Sequence, residues 1–221
     1  MTVPLAIDLF AGLGGWAEGF IENGYDVIGF DIERHQYGDA KYPGLLVLQD
    51  VCTLSGAQFK DATLIVASPP CQEYSYMAMP WKLAKAKAAA IRADTTGEKL
   101  AALNLLFNEC FRIQKEASIA AGRHIPMVVE NVRGAIPWVG RSRCRVGSFH
   151  FWGDTPLLMP PWCKRKQEGD PSWFFDNYAQ PARRFSSKSK KRRQWSAEIA
   201  KIPPEISTWI ARYFKPISSA A

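Results

Sequence analysis

Short apolar runs alternate with longer amphipathic stretches over the first 130 residues of the chain. The runs at 5–10, 26–30, 45–48, 63–66 and 124–129 have the length and composition of buried strands. A helix after the first strand, a second between the strands at 26–30 and 45–48, and a long amphipathic helix at 95–122 complete the pattern. Alternation at this spacing predicts an α/β fold with a parallel, doubly wound sheet.

The remainder of the chain divides into two further parts. Residues 153–195 contain five prolines and many aromatic residues without regular periodicity, which indicates a small irregular insertion of roughly 40 residues. In 196–221, a break at Pro203 and Pro204 separates a short helix from a closing helix. We therefore expect a main domain at 1–152, an insertion at 153–195, and a C-terminal segment at 196–221 that returns to the main domain.

The net charge of +7 is concentrated at the end of the predicted insertion. Seven basic residues and no acidic one lie between 183 and 193, and elsewhere basic and acidic residues are equal in number. Such a run is commonly a solvated face, but a phosphate backbone would also attract it. The candidate nucleic-acid contacts in this run are Arg184, Lys188, Lys190, Lys191, Arg192 and Arg193.

Cysteine usage and hydropathy indicate the cellular compartment. The five cysteines are odd in number and lack paired spacing, which argues against a disulfide framework and against a metal site. No apolar run has the ~18 residues of a membrane span, and the N-terminus lacks the features of a signal peptide. We expect a cytoplasmic protein without membrane partners.

One cysteine directly follows a predicted strand. The strand at 63–66 leads into Ala67-Ser68-Pro69-Pro70-Cys71, where the two prolines end the strand and restrict the backbone. A thiol held at the mouth of a sheet is a candidate nucleophile, although a free cysteine is more commonly a buried structural residue. The helix-favouring stretch at 77–92, which lacks a large apolar stripe, predicts a mobile, positively charged element beside Cys71.

A glycine turn after the first strand predicts a nucleotide-like ligand. Gly12, Gly14 and Gly15 let a ligand approach the backbone, and Asp31, about 20 residues further on, can bind ribose hydroxyls. The same pattern fits nicotinamide and flavin enzymes, so the turn alone leaves the cofactor open. Asp50, after the third strand, can contact an adenine or cap a helix.

Glu130 is the polar residue that ends the strand at 124–129. The topology brings it to the same sheet edge as Cys71, and a thiol beside a carboxyl group suits acid-assisted addition. A glutamate at such a position is otherwise a cap or an ion-pair partner. Arg141, Arg143 and Arg145 alternate along the next stretch, so on a strand they share a face and can converge on phosphate or on a reacting base.

In this order the motifs resemble those of the cytosine-C5 DNA methyltransferases. The matching segments are Asp8-Leu9-Phe10-Ala11-Gly12-x-Gly14-Gly15, Ser68-Pro69-Pro70-Cys71-Gln72, Glu130-Asn131-Val132 and Arg143-x-Arg145. Four ordered motifs at strand ends exclude the nicotinamide interpretation. The short insertion is similar to that of small bacteriophage-encoded members, in which the target-recognition region is reduced.

The resemblance implies a Rossmann-like, S-adenosylmethionine-dependent methyltransferase fold, with S-adenosylhomocysteine as the product of the cofactor. The implied cofactor-binding residues are Asp8, Phe10, Gly12, Gly14, Gly15, Asp31, Ile32, Asp50, Val51 and Pro70. The implied catalytic residues are Cys71, Glu130, Arg143 and Arg145, and further DNA contacts are expected from Gln72, Ser75, Lys82 and Lys85. We expect a monomer that methylates double-stranded DNA in a bacterial or phage-infected cell, in a role such as restriction-modification.

Two departures from the family pattern keep alternatives open. Arg141 stands where the family usually has Gln, and Ile199-Ala200-Lys201-Ile202 replaces the usual Gly-Asn-Ser/Ala-Val. A same-fold enzyme that methylates cytosine in tRNA is one alternative, because catalytic motifs do not report the type of nucleic acid. A DNA-binding protein that has lost methyl transfer is the other.

Overall fold

The computed structural model describes residues 3–75, 80–159, 186 and 189–216. Its strands are β1 (Leu5–Leu9), β2 (Asp26–Asp31), β3 (Gln36–Tyr37), β4 (Ala40–Lys41), β5 (Leu45–Leu48), β6 (Leu64–Ala67), β7 (Met127–Val132), β8 (Cys144–Val146) and β9 (Phe149–Gly153). Its α-helices are α1 (Gly15–Glu22), α2 (Trp81–Arg92), α3 (Glu98–Ala121), α4 (Ile136–Val139), α5 (Lys190–Ala200) and α6 (Pro204–Phe214). Short 3-10 helices lie at Val51–Thr53, Gly56–Phe59 and Arg133–Ala135.

Seven of these strands form one sheet, in the order β5-β2-β1-β6-β7-β9-β8. The first five strands in that order are parallel, and β9 and β8 continue the sheet in antiparallel pairs. This topology confirms the predicted α/β fold with a mostly parallel sheet. The carboxyl ends of the parallel strands share one edge, where Asp31, Ser68 and Glu130 lie.

Apolar side chains cover both faces of the sheet. One face packs Ile65 and Val129 against Phe107 and Ile113 of α3. The other face packs Val128 and Phe151 against α1 and α6, whose contact is closed by the Tyr25 hydroxyl donating to the Ala211 carbonyl at 2.9 Å. Helix α6 therefore contributes Ile206, Ile210 and Ala211 to the core on this face.

The predicted helix between β2 and β5 is wrong. Residues 36–41 instead form the two-stranded antiparallel pair β3 and β4, with a turn at Gly38, whose φ is +62°. A glycine at positive φ followed by Pro43 and Gly44 interrupts any helix in so short a connection. The connection delivers Tyr42 into the core, with its ring stacked over Gly29.

A helix lies at the end of the segment predicted as the insertion. Helix α5 begins at Lys190, with the Ser189 hydroxyl accepting a hydrogen bond from the Arg192 backbone at 3.2 Å, so the end of the basic run is helical. Arg184, Lys188 and most of the insertion lie outside the described residues, as does the beginning of the predicted stretch at 77–92. Within the described ranges, no helix combines the length and apolarity needed to cross a bilayer.

Gly19→Ala should destabilise the fold through the α1–α6 contact. An added Cβ would lie 2.2 Å from Ser207 Oγ and 2.6 Å from Thr208 N, so the helices must separate. We expect a loss of about 1–3 kcal/mol in the free energy of unfolding, measured by urea denaturation. Glu22→Ala, at an exposed position of the same helix, is the control. Equal stability of the two variants would contradict this packing.

Candidate active site

The thiol of Cys71 lies at the end of β6, where the chain leaves the sheet. The Ser68 backbone donates to the Leu9 carbonyl at 3.2 Å, which continues the pairing of β6 with β1 by one residue. After Pro69 and Pro70 the chain turns sharply, and the backbone amides of Tyr74 and Ser75 both donate to the Cys71 carbonyl. The turn leaves Cys71 partly exposed at the edge of the sheet.

The carboxyl group of Glu130 lies in the neighbouring strand, beside the end of β6. The sequence predicted a strand that ends before Glu130, but β7 continues to Val132 through its pairing with β9. Ala67 pairs with Val129, so Glu130 follows at the level of Ser68 and is buried. Burial raises the pKa of Glu130 to about 8, although a side-chain hydrogen bond with Ser68 opposes the rise. The acid is therefore mostly protonated at neutral pH and can donate a hydrogen bond.

The two groups affect one another. Burial and the neighbouring Glu130 raise the pKa of the Cys71 thiol to about 11. Without a ligand both groups are therefore neutral at pH 7, and the thiol must lose its proton as it attacks an electrophile. The structure thus brings Cys71 and Glu130 together, and their roles as nucleophile and acid stay predictions.

Contacts from two other elements hold the Cys71 turn. The side-chain amide of Asn131 donates to the Pro69 carbonyl at 2.9 Å. The buried Tyr74 hydroxyl donates to Asn104 Oδ1 at 3.0 Å, and Asn104 Nδ2 donates to the Trp138 carbonyl at 2.8 Å. Gly134 leaves room for the Tyr74 carbonyl, which would lie 2.1 Å from an added Cβ. These contacts fix the backbone on both sides of the nucleophile.

The glycine turn forms a cradle at the ends of β1 and β2. Phe10, Gly12 and Gly14 have φ values of 59°, 52° and 78°, and one Asp31 oxygen accepts from the Gly12 backbone at 2.8 Å. A Cβ on Gly12 would meet nothing nearer than the Phe10 carbonyl at 4.0 Å, so the space over this residue is open. A ligand can approach the backbone there, as the predicted cofactor site requires.

Asp8 is a buried carboxyl group near the end of β1. The Tyr42 hydroxyl donates to its Oδ2 at 3.2 Å, whereas its buried Oδ1 has no partner among the described residues. Burial raises the pKa of Asp8 well above its ordinary value. Tyr42 was missed by the sequence reasoning, because nothing local marks its long-range contact with Asp8.

The other predicted cofactor residues lie along the same edge. Ile32 is 73% exposed after β2, Val51 is buried, and Pro70 is exposed beside the nucleophile. Asp50 accepts a hydrogen bond from the Cys52 backbone at 2.9 Å and so caps the 3-10 helix Val51–Thr53. The capping role that the sequence left open for Asp50 is therefore present, and an adenine contact stays a prediction.

Arg143 and Arg145 share a face on and beside β8. Arg145 pairs with His150, and His150 pairs with Asn131, so these side chains lie on the same face of the sheet as the Asn131 amide that holds Pro69. Burial lowers the pKa of His150 most, and the charges of Arg145 and Arg133 lower it further. Arg133, directly after Glu130-Asn131-Val132, is an exposed cation that the sequence analysis did not select.

A family model agrees with this geometry. The model for C-5 cytosine-specific DNA methylase matches residues 5–134, more than half of the chain. The chain belongs to this family. No curated protein sequence matches it.

Several solved structures are similar to part of this chain. One is described as a candidate DNA modification methyltransferase encoded within an E. coli prophage, with 25% identity and a TM-score of 0.39, covering 60% of this chain and 33% of that one. Dnmt2 methyltransferase of S. pombe has 16% identity and a TM-score of 0.36, with 60% and 36% coverage. Entamoeba histolytica methyltransferase EhMeth has 19% identity and a TM-score of 0.36, with 61% and 39% coverage. The chain spans between 33% and 39% of the length of these proteins.

The charge of Glu130 should control the reactivity of the Cys71 thiol. Because ionised Glu130 raises the pKa of Cys71, Glu130→Gln should lower that pKa below about 11 and speed alkylation of Cys71 several-fold at pH 9. The measurement is the iodoacetamide reaction rate of each cysteine, followed by peptide mass spectrometry. Cys144 in the same molecule is the internal control. An unchanged ratio of the Cys71 and Cys144 rates would contradict the arrangement.

Proposed function

We propose that the protein is a DNA (cytosine-5)-methyltransferase that acts on a cytosine flipped out of duplex DNA. The observation that carries this proposal is the pair formed by the Cys71 thiol, in the turn after β6, and the buried, protonated Glu130 of the adjacent strand β7. A base must leave the stack before such an enclosed pair can reach it. Membership of the C-5 cytosine family supports cytosine as the target base.

The glycine turn and the carboxylates at the sheet edge suit S-adenosylmethionine. In this proposal the cofactor lies against the open backbone of Gly12, Asp31 binds its ribose, and Ile32 and Val51 flank its adenine. Gly14 and Gly15 support the turn from below, where added Cβ atoms would lie 2.3 Å from Pro43 and 2.4 Å from the Ile202 backbone. When bound, S-adenosylmethionine supplies the electrophilic methyl group.

The residues of this chain then perform addition and elimination. Cys71 loses its proton and forms a sulfur–carbon bond to C6, while Glu130 donates a hydrogen bond to N3 and so withdraws electrons from the ring. The electron pair displaced to C5 would form the new bond to the methyl carbon as the bond from that carbon to the cofactor sulfur breaks, so that S-adenosylhomocysteine is the leaving group. Loss of the C5 proton then returns an electron pair to the ring, the sulfur–carbon bond breaks, and 5-methylcytosine leaves.

The distribution of cations supports a nucleic-acid partner. Arg143 and Arg145 are exposed on the face that holds the nucleophile segment, and in this proposal they hold the base or its phosphates. Lys82 and Lys85 are exposed on α2, the helix that follows the Cys71 turn, and the Lys85 ammonium lies 5.0 Å from the centroid of the Trp81 ring. Gln72, exposed, and Ser75, partly exposed, lie in the turn itself.

Helix α5 adds an electrostatic argument for a polyanion. Its first turn carries Lys190, Lys191, Arg192 and Arg193, although the N-terminus of a helix disfavours cations. The Ser189 cap contributes about 1 kcal/mol, which offsets only part of this cost. A phosphate backbone along the helix relieves the repulsion, so binding to nucleic acid should weaken steeply with added salt.

Duplex DNA is the substrate in this proposal, and cytosine in tRNA is the alternative that the test must separate. Plasmid DNA from cells expressing the protein should contain bisulfite-resistant cytosines in a repeated sequence context, and Cys71→Ala should abolish them. Glu130→Gln should lower the rate of transfer about 100-fold or more, because a general acid typically contributes this much. Cys144→Ala is the matched cysteine control and should methylate like the parent.

Purified protein extends this test to both polymers. Transfer of a labelled methyl group from S-adenosylmethionine should occur on duplex DNA and not on tRNA. Transfer to tRNA alone would replace the proposed substrate. Salt-sensitive DNA binding with no transfer to either polymer would favour a DNA-binding protein without catalysis.

A further inference from the structure

Trp16 connects the glycine turn to the acid. It follows Gly15 in the first turn of α1, is buried, and lies edge-on to Phe20 and Phe151 at centroid distances of 6.5 and 6.3 Å. Its indole nitrogen donates to the Ser68 hydroxyl at 2.9 Å. The packed ring therefore aims a single donor at the residue that interacts with Glu130.

The chemistry of the indole sets the direction of the hydrogen bonds. An indole N–H can only donate, so the Ser68 oxygen accepts it and the one Ser68 proton is directed elsewhere. Ser68 lies level with Glu130 on the neighbouring strand, because Ala67 pairs with Val129, and a side-chain hydrogen bond with Ser68 lowers the pKa of Glu130. The Ser68 proton that Trp16 leaves free is therefore within reach of Glu130, and the carboxyl oxygen that can accept it is the unprotonated one.

We propose that Trp16 is a positioning residue for the acid: through Ser68 it keeps the proton of Glu130 on the other carboxyl oxygen, available to the base. This inference rests on the proposed function and deepens it. Trp16 also lies in the first turn of the helix that follows the glycine turn. It therefore connects the glycine turn to Ser68, the residue beside Glu130. Trp16 itself touches no reacting atom.

Few polar groups besides Ser68 act on Glu130 within the described part of the chain. Ser68 and Cys71 face Glu130 from the segment after β6, and Cys71 is the titratable group whose pKa Glu130 raises. From β9, Glu130 pairs with Phe151, which is apolar and packs on Trp16. The orientation of the Ser68 hydroxyl is therefore the main polar influence on this carboxyl group.

Trp16→Phe tests the inference, because it removes the indole donor and keeps an aromatic ring in the core. Trp152→Phe is the matched control: Trp152 is also buried, lies edge-on to Phe107 at 5.4 Å, and donates to the Gly140 carbonyl at 3.0 Å. Both variants lose one indole hydrogen bond and similar volume. Only Trp16→Phe should release the Ser68 hydroxyl.

The main readout is the titration of Glu130, followed by carbon-13 NMR of glutamate side-chain carboxyls and assigned with Glu130→Gln. In Trp16→Phe the Glu130 pKa should rise above its parent value of about 8, because Ser68 is free to turn away. The single-turnover rate of methyl transfer should fall about tenfold, with KM for DNA and for S-adenosylmethionine within about twofold, since second-sphere contacts typically act on this scale. Trp152→Phe should change neither quantity.

A double-mutant cycle covers the case in which Trp16→Phe is poorly folded. Ser68→Ala should raise the Glu130 pKa in the same direction, and adding Trp16→Phe to it should have no further effect, because both changes break one chain of contacts. Additive effects, or a Glu130 titration equal in Trp16→Phe and Trp152→Phe, would overturn the inference. The Glu130 pKa could shift in Trp16→Phe as expected while the parent protein transfers no methyl group. That result would contradict the proposed function and support the Trp16–Ser68–Glu130 chain of contacts.

Discussion

The parallel pairing of β6 with β7 is the constraint on which the candidate site depends. It places Ser68 and Glu130 side by side at the sheet edge, and the chain after Ser68 must then turn so that Cys71 lies close to the acid. A buried carboxylate beside a buried thiolate would be costly, whereas a neutral acid beside a neutral thiol is tolerated. The raised pKa values of both groups express this preference, and they leave the site ready to create charge only when a substrate shares it.

The sequence predicted those parts of the site that depend on local pattern. Strand periodicity placed Asp31 at the end of β2 and Glu130 level with the end of β6, although β7 continues two residues beyond Glu130. Pro69 and Pro70 marked the end of β6, so the sheet edge followed from topology. Tyr42 and Asn104 could not be found in this way, because their partners Asp8 and Tyr74 are 34 and 30 residues distant in sequence. The prediction of a helix before β5 was wrong for a related reason. The burial of Tyr42 and the turn at Gly38 determine the conformation of that segment.

Long-range polar contacts of this kind give the site its rigidity. The side chain of Asn131, on β7, donates a hydrogen bond to the Cys71 turn. On the other side, Tyr74 of the turn donates to Asn104 of α3, which itself donates to the backbone carbonyl of Trp138. Each contact joins a buried polar group to a partner, so loss of one partner leaves another unsatisfied. The nucleophile is thereby fixed by elements whose own positions are set by the apolar core, and precision at the sheet edge follows from packing below it.

The glycine turn and the Cys71 segment are best understood as one unit. Both begin at the ends of neighbouring strands, β1 and β6, and the indole of Trp16 joins them directly through Ser68. An enzyme that transfers a methyl group must hold donor and acceptor in a fixed relation, because the two reacting carbons have to meet in line. A phenylalanine at position 16 would preserve the packing on Phe20 and Phe151 but not this link. The indole therefore adds what packing alone cannot supply, a directional contact between the cofactor cradle and the acid.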